Sequence, residues 1–311
     1  MTTGPSTSGA RVPALLISAG EMGSLMRRYE WRRRIEQLDP VTEYHEIYRI
    51  MVAHEFPWDM NQALSFALFR TYAVPTIGGL LARTGEFLER TQQRYDDTTL
   101  ILDAVVEHGF GSAPGRDAFR RMNQMHGAYQ ISNDDLRYVL STFVVVPIRW
   151  IGSYGWRRFT ETEKAASANY YRRLGTHMNI KAIPATYQDF ITLADAYERE
   201  HFGFDEGGRA VAESTLKLLA TFPPSDRIPA PLVRRASFAL MDDPLLDAFG
   251  FPHPHPLIRA LVRAGVAARG RVVRVLPPTD RAAACATASE PAQLSRRLRR
   301  RPARNVSPPA R

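Results

Sequence analysis

Prolines and glycines cut this chain into segments, and nearly every segment between them carries apolar residues three or four positions apart. Met22, Leu25, Met26, Tyr29, Ile35 and Leu38 follow that spacing, as do Met60, Ala63, Leu64, Ala67, Leu68 and Phe69. Leu100, Ile101, Ala104 and Val105 form another stripe, and Ala118, Met122, Met125 and Tyr129 a further one. Such a period puts the apolar groups on one face of a helix and cannot serve a strand, whose faces alternate every residue. Two-residue hairpin signals, a βαβ rhythm and internal repeats are all missing. Val144-Val145-Val146 has strand character, but the flanking pattern is helical. The expected fold is all-α, with roughly ten helices. Further helices are expected over 95–109, 114–130, 161–174, 187–201, 207–222 and 254–270. Pro75–Gly79 is expected to break helix, and the region up to Pro254, punctuated by Pro223-Pro224 and Pro229–Pro231, to be looser.

The 311 residues suffice for a sizeable core, and their 44% hydrophobic and 23% charged content is ordinary for a globular chain. One cysteine, Cys285, excludes an internal disulfide framework and a cysteine-rich metal site, and favours a reducing compartment. The net charge of +9 is concentrated. Arg296, Arg297, Arg299, Arg300, Arg301, Arg304 and Arg311 fall in 291–311 without an acid, leaving +2 for residues 1–290. The expected organisation is a flexible leader over 1–20, one all-α domain over 21–280 and a basic, disordered tail over 281–311. The tail's charge is not a specific nucleic-acid signature; at most it offers peripheral contact with a membrane. No segment reaches the ~18 apolar residues of a membrane span, and the first residues lack a secretory pattern. The expected location is therefore cytoplasmic or membrane-peripheral.

The common catalytic signatures are missing: no phosphate-cradling glycine loop, no His-Glu-x-x-His and no Gly-x-Ser-x-Gly elbow. Eight histidines remain. His253 and His255 sit in a proline-rich loop, and His108 and His201 at helix ends, where a cation suits the dipole. His45 and His54 are nine apart and do not share a face. His177, near a helix end, suits packing. His126 lies on a helix between Met122 and Tyr129, beside Gly127, so its face is apolar and open to a bulky group. A satisfied core histidine and an axial haem ligand both fit that setting, and periodicity does not choose between them.

Several motifs occur in a fixed order: Thr42-Glu43-Tyr44-His45-Glu46-Ile47, His54-Glu55-Phe56-Pro57-Trp58-Asp59, Arg94-Tyr95-Asp96-Asp97-Thr98 and Arg121-Met122-Asn123-Gln124-Met125-His126. Asn133 with Asp135 follows, then Pro147-Ile148-Arg149-Trp150, then Leu174-Gly175, Met178-Asn179-Ile180 and Ile183-Pro184. As a set they resemble the MpaB / rubber oxygenase (latex-clearing protein) catalytic-domain family over roughly residues 30–220. The resemblance implies an all-α domain with a globin-like core around a b-type haem. It also implies a proximal histidine on the iron and use of dioxygen to cleave carbon–carbon double bonds in prenyl chains. By that match His126 is the proximal ligand and iron-binding residue, 28 residues after Thr98, and Arg94 and Thr98 are distal catalytic residues. Arg94 and Thr98 are four apart and share a helix face. Asp97 departs from the family pattern, since the rubber enzymes carry there a lysine that can cap the iron. Glu86 lies where a distal base is sought but has no residue-by-residue match. Without the resemblance, Arg94 reads as a surface ion-pairing residue and Thr98 as a helix-start residue. The implied function is a haem-dependent oxygenase acting on an apolar, isoprenoid-like substrate; a non-catalytic haem or hydrophobic-ligand binding protein is the alternative.

Overall fold

The computed structural model describes residues 29–276 apart from Arg90, Pro223 and Pro224, and without the side chains of 88, 89 and 93–97. The expected leader and tail, and Cys285, lie outside the described residues. Within them the fold is all-α, with no strand. In chain order the helices are α1 (Glu30–Glu36), α2 (Tyr44–Ile50), α3 (Pro57–Tyr72), α4 (Pro75–Arg83), α5 (Glu86–Glu89), α6 (Thr91–His108) and α7 (Ala113–Gly127). They continue as α8 (Asn133–Tyr154), α9 (Glu161–His177), α10 (Tyr187–His201), α11 (Glu206–Leu219), α12 (Ala230–Leu240), α13 (Asp243–Phe249) and α14 (Pro256–Val275). A π-helical turn, Met51–Glu55, joins α2 to α3.

The helix starts follow from side-chain chemistry. Ser112, Ser132, Thr160, Thr186, Asp205 and Asp242 each accept a hydrogen bond from a first-turn backbone N–H. Each such cap satisfies a donor the helix leaves open, for about 1 kcal/mol. Ser132, one residue before the Asn133-Asp134-Asp135 cluster, is the cap of α8, and the acids occupy its first turn. Val144–Val146 is helical, as the flanking periodicity required, and Pro147 lies buried within the same helix.

Two sequence expectations are corrected. Pro75–Gly79 does not break helix: Pro75 opens α4, where its missing N–H costs nothing. A Cβ on Gly78 would meet the Tyr72 carbonyl oxygen and come within 2.7 Å of Gly208 Cα. The glycines therefore serve the close packing of α4 on α11. The looser region after Pro223 holds α12 and α13, whose short lengths and proline starts hide their periodicity.

α3, α8, α9 and α2 enclose the main core, with Ile47, Tyr48, Phe56, Met60, Val144 and Tyr170 buried. A second cluster, including Phe69, Tyr72, Phe238 and Phe249, gathers under α11 to α13. Buried ion pairs tie the frame. Arg157 bonds Glu55 and Glu163, its Nη2 reaching Glu163 Oε1 at 2.6 Å, and all three side chains are nearly inaccessible. Burial alone would lower the Arg157 pKa, yet hydrogen bonding to Glu163 and the nearby carboxylates hold it raised. The π-turn puts Glu55 where both Arg157 and α3 need it: the Trp156 indole donates to its carbonyl at 2.9 Å. Arg70 grips Glu198 through two nitrogens, at 2.6 and 2.5 Å, and Tyr138 donates to the same carboxylate at 3.1 Å. No single described helix is long and apolar enough to cross a membrane.

Candidate functional site

α6 and α7 form an antiparallel hairpin over a four-residue turn, and the turn explains its tightness. Gly109 takes φ +80°, a left-handed conformation that suits glycine. Ser112 donates its hydroxyl to the Gly109 carbonyl at 2.9 Å and accepts from Gly115 N at 3.0 Å. A side chain on Gly115 would collide with that same carbonyl.

Counting from the turn at about 1.5 Å per residue, His126 lies ~20 Å up α7, Thr98 ~15 Å up α6 and Arg94 ~21 Å up α6. Arg94 and Thr98 thus lie in the N-terminal half of α6, and His126 near the C-terminal end of α7, the helix that packs on it. Thr98 and His126 are half-buried. Arg94 and Asp97 belong to the α6 backbone, and their side chains lie outside the described residues. Glu86 sits on α5. Ile101, Ala104 and Val105 of α6 and Ala118, Phe119 and Met122 of α7 are buried in the main core, and Met125 packs against it.

α9 closes the hairpin and adds residues that periodicity alone did not single out. The His177 ring stacks on Phe110 and Phe119, with centroids 5.5 and 4.7 Å away. Its carbonyl accepts from Asn123 Nδ2 at 2.9 Å, one turn before His126. Burial, and then the Arg173 charge, lower the His177 pKa, which favours the neutral ring. Its Nε2 is buried without a hydrogen-bond partner among the described residues, and so is the hydroxyl of Tyr170, whose ring lies 5.1 Å from Phe110. Burial pushes the Tyr170 hydroxyl well above its usual range. Arg137 and Arg259 also leave an Nε unpaired, but each bonds a carboxylate through another nitrogen. Tyr170 and His177 share one aromatic wall, where unmet hydrogen-bond demand costs about 1–3 kcal/mol per group. The only sequence signal for them was an aromatic or histidine on the inner face of a helix, which packing explains equally well.

The donors of this region are sparse. Among the described residues no three His, Cys, Asp or Glu side chains converge to hold an ion. One imidazole suffices for haem iron, whose porphyrin brings the other equatorial donors. His126 offers one imidazole beside the half-buried Met125, while Phe119 and Met122 are buried in the main core and Arg120 pairs with Asp117 at 2.7 Å. A separate cleft of about 260 Å³ between α8 and α10 is lined by Asp134, Arg137, Tyr197, Glu200 and His201. Its mixed charges do not suit a flat apolar group.

Residues 60–275 match the family described as ER-bound oxygenase mpaB/B'/Rubber oxygenase, catalytic domain. The ER-bound oxygenase mpaB' of Penicillium brevicompactum is 29% identical over 283 residues, covering 84% of this chain and 66% of its own length. The ER-bound oxygenase mpaB of Penicillium roqueforti is 30% identical over 225 residues, 66% of this chain and 74% of its own. The mpaB of Penicillium brevicompactum is 34% identical over 142 residues, 44% of this chain and 36% of its own. The family match runs from within α3 to the last residue of α14 and takes in the whole hairpin, so the chain belongs to this oxygenase catalytic-domain family.

Proposed function

We propose that this protein is a b-type haem-dependent oxygenase that uses dioxygen to cleave a carbon–carbon double bond in an apolar, isoprenoid-like substrate. The observation that carries the reading is the oxygenase-family match, which spans the packed helices α6, with Arg94 and Thr98, and α7, with His126. The core would be globin-like, with His126 as the axial ligand. Haem, when bound, supplies the redox chemistry of dioxygen, and the protein supplies binding, orientation and electrostatics. Arg94 is the distal charged donor and Thr98 a weaker neutral one; in a site shielded from water both count for more than in solution. Asp97 cannot provide the neutral amine that caps the iron in the rubber enzymes. Phe110, Phe119 and Met122, buried in the core beside α7, make apolar surroundings that suit a hydrocarbon chain better than a polar substrate. The relatives' names, ER-bound oxygenases, support a protein that works at a membrane surface.

The test is the absorption spectrum of the purified protein, followed by oxygen uptake with polyprenyl substrates. A Soret band and substrate-dependent oxygen consumption are expected. A Soret band without such consumption leaves a non-catalytic haem-binding protein, and no haem after expression with haem supplied overturns the reading.

A further inference from the structure

α14 closes the described fold with two faces of opposite character. Its inner face packs on the body. Arg259 bonds Asp243 at 2.6 Å, Arg263 donates to the Ala239 and Met241 carbonyls, and Arg269 bonds Asp59 at 2.8 Å. Gly270 is buried so tightly against Tyr154 and Gly155 that no side chain would fit there. The outer face carries Leu257, Leu261, Ala264, Ala268, Val272 and Val275, at the three-to-four spacing of a single stripe. Leu257 and Leu261 are each 74% exposed, Val275 66% and Val272 55%. The stripe runs about 27 Å along the helix. Ile228 and Leu232, at the start of α12, which packs on α14, are also exposed. Soluble proteins scatter single exposed apolar residues, whereas an unbroken row of them marks a contact surface.

Charge identifies the contact. α14 contains five arginines and no acid. The three inward ones are bonded to the body, and the two outward ones, Arg271 and Arg274, have no hydrogen bond or ion pair among the described residues. They border the apolar row along one side. Beyond the helix the sequence adds Arg281 and the seven arginines of 291–311. A second copy of this face would set arginine against arginine, and the arginine-rich segment that follows is not complementary to it either. An apolar row edged by cations is the pattern of a helix lying in the headgroup layer of an anionic bilayer.

We propose that the outer face of α14 docks the protein flat onto an anionic phospholipid surface, with Leu257 and Leu261 entering the acyl boundary and Arg271 and Arg274 meeting headgroup phosphates. This rests on the membrane-surface part of the proposed function and not on its chemistry; vesicle binding and oxygen uptake are separate measurements, so either can fail alone.

The experiment is sedimentation of the full chain with phosphatidylcholine vesicles, with and without phosphatidylserine, alongside its mass in solution. The full chain is expected to bind the phosphatidylserine vesicles preferentially. Leu257→Asp with Leu261→Asp is expected to weaken binding tenfold or more at unchanged melting temperature, roughly the loss of two buried leucines. Arg271→Gln with Arg274→Gln is expected to reduce the phosphatidylserine preference by roughly fivefold per residue while leaving folding intact. Three results overturn the proposal: no binding by the full chain; undiminished binding by both variants, which assigns the contact to the basic tail; or a dimer that Leu257→Asp disperses and that never binds vesicles.

Discussion

The frame of α2, α3, α8 and α9 and the hairpin of α6 and α7 solve the same packing problem in different ways. In the frame, charge is buried and answered: Arg157 with Glu55 and Glu163, Arg70 with Glu198 and Tyr138, Asp59 with Arg269. A buried ion is tolerable only when its partners are correctly placed, so each cluster rejects alternative arrangements of the elements it joins. The hairpin has no such cluster among the described residues. Its ties include a glycine–serine turn, an Asn123 bond to α9 and a His45 bond to the Val105 carbonyl at 3.1 Å. Its wall instead leaves Tyr170 and His177 with polar atoms that no described residue answers. The motifs shared with the family therefore fall into two groups. The His54–Asp59 stretch builds the frame, and the Arg94–Thr98 and Arg121–His126 stretches equip the hairpin.

That division predicts that frame and hairpin variants move different quantities. The largest effect is expected from His126→Ala. Haem content should fall from about one per chain to nearly none, with stability changed by only ~1 kcal/mol, because the α7 stripe of Ala118, Phe119 and Met122 is untouched. Haem assay beside a urea titration reads both. A stability loss with haem retained would return His126 to an ordinary core role. Arg157→Ala should do the reverse. Removing the cation strands two carboxylates in the interior, at about 3–5 kcal/mol, while any haem bound by the chains that still fold keeps its spectrum. If Arg157→Ala is as stable as the parent, the frame is not held by its buried charges.

The next effect is confined to rate. Arg94→Ala should keep haem and lose about a hundredfold in turnover, the ~3 kcal/mol typical of one preorganised donor. Thr98→Ala should lose less, since a neutral hydroxyl contributes less than a guanidinium. Steady-state oxygen uptake with the Soret band as internal concentration standard tests the pair. Equal activity of Arg94→Ala and the parent would remove the distal assignment.

Local patterns carried much of this structure. The helix over Tyr187–His201 is bounded as its periodicity indicates, by Thr186 at one end and the break before Gly203 at the other. Pro75–Gly79 misled because proline and glycine have two uses: Pro75 opens a helix, and Gly78 lets Gly208 approach, a contact 130 residues away in sequence that no local window contains. The buried pairs were illegible for the same reason. Glu55 and Arg157 look like ordinary surface residues until α3 and α8 are packed. At the site, the 28-residue separation of Thr98 and His126 became meaningful only once the turn at Gly109 was seen to fold one helix back on the other. His177 offered less still. Nothing in its neighbours along the chain signals the stack on Phe110 and Phe119, which depends on α7 and α9 meeting.

That stack sets the smallest predicted effect and the control for the largest. Because burial lowers the His177 pKa, its neutral form is favoured in the folded state. The contribution to stability is present above the unfolded pKa, about 6.5, and is lost as pH falls through the lowered folded value, since the unfolded chain takes up the proton first. His177→Phe keeps an aromatic ring between Phe110 and Phe119 and removes the nitrogen that has no partner. It should leave stability at pH 8 unchanged or raised by up to ~1 kcal/mol, because replacing an unanswered polar group by an apolar one of similar shape removes its desolvation cost. It should also flatten the decline of stability below pH 6.5, measured by urea titrations across that range. Haem content should stay at the parent's level. Should His177→Phe lose haem while His126→Ala retains it, the axial nitrogen is the unpaired Nε2 of His177, and the hairpin is a wall of the site while α9 carries the iron.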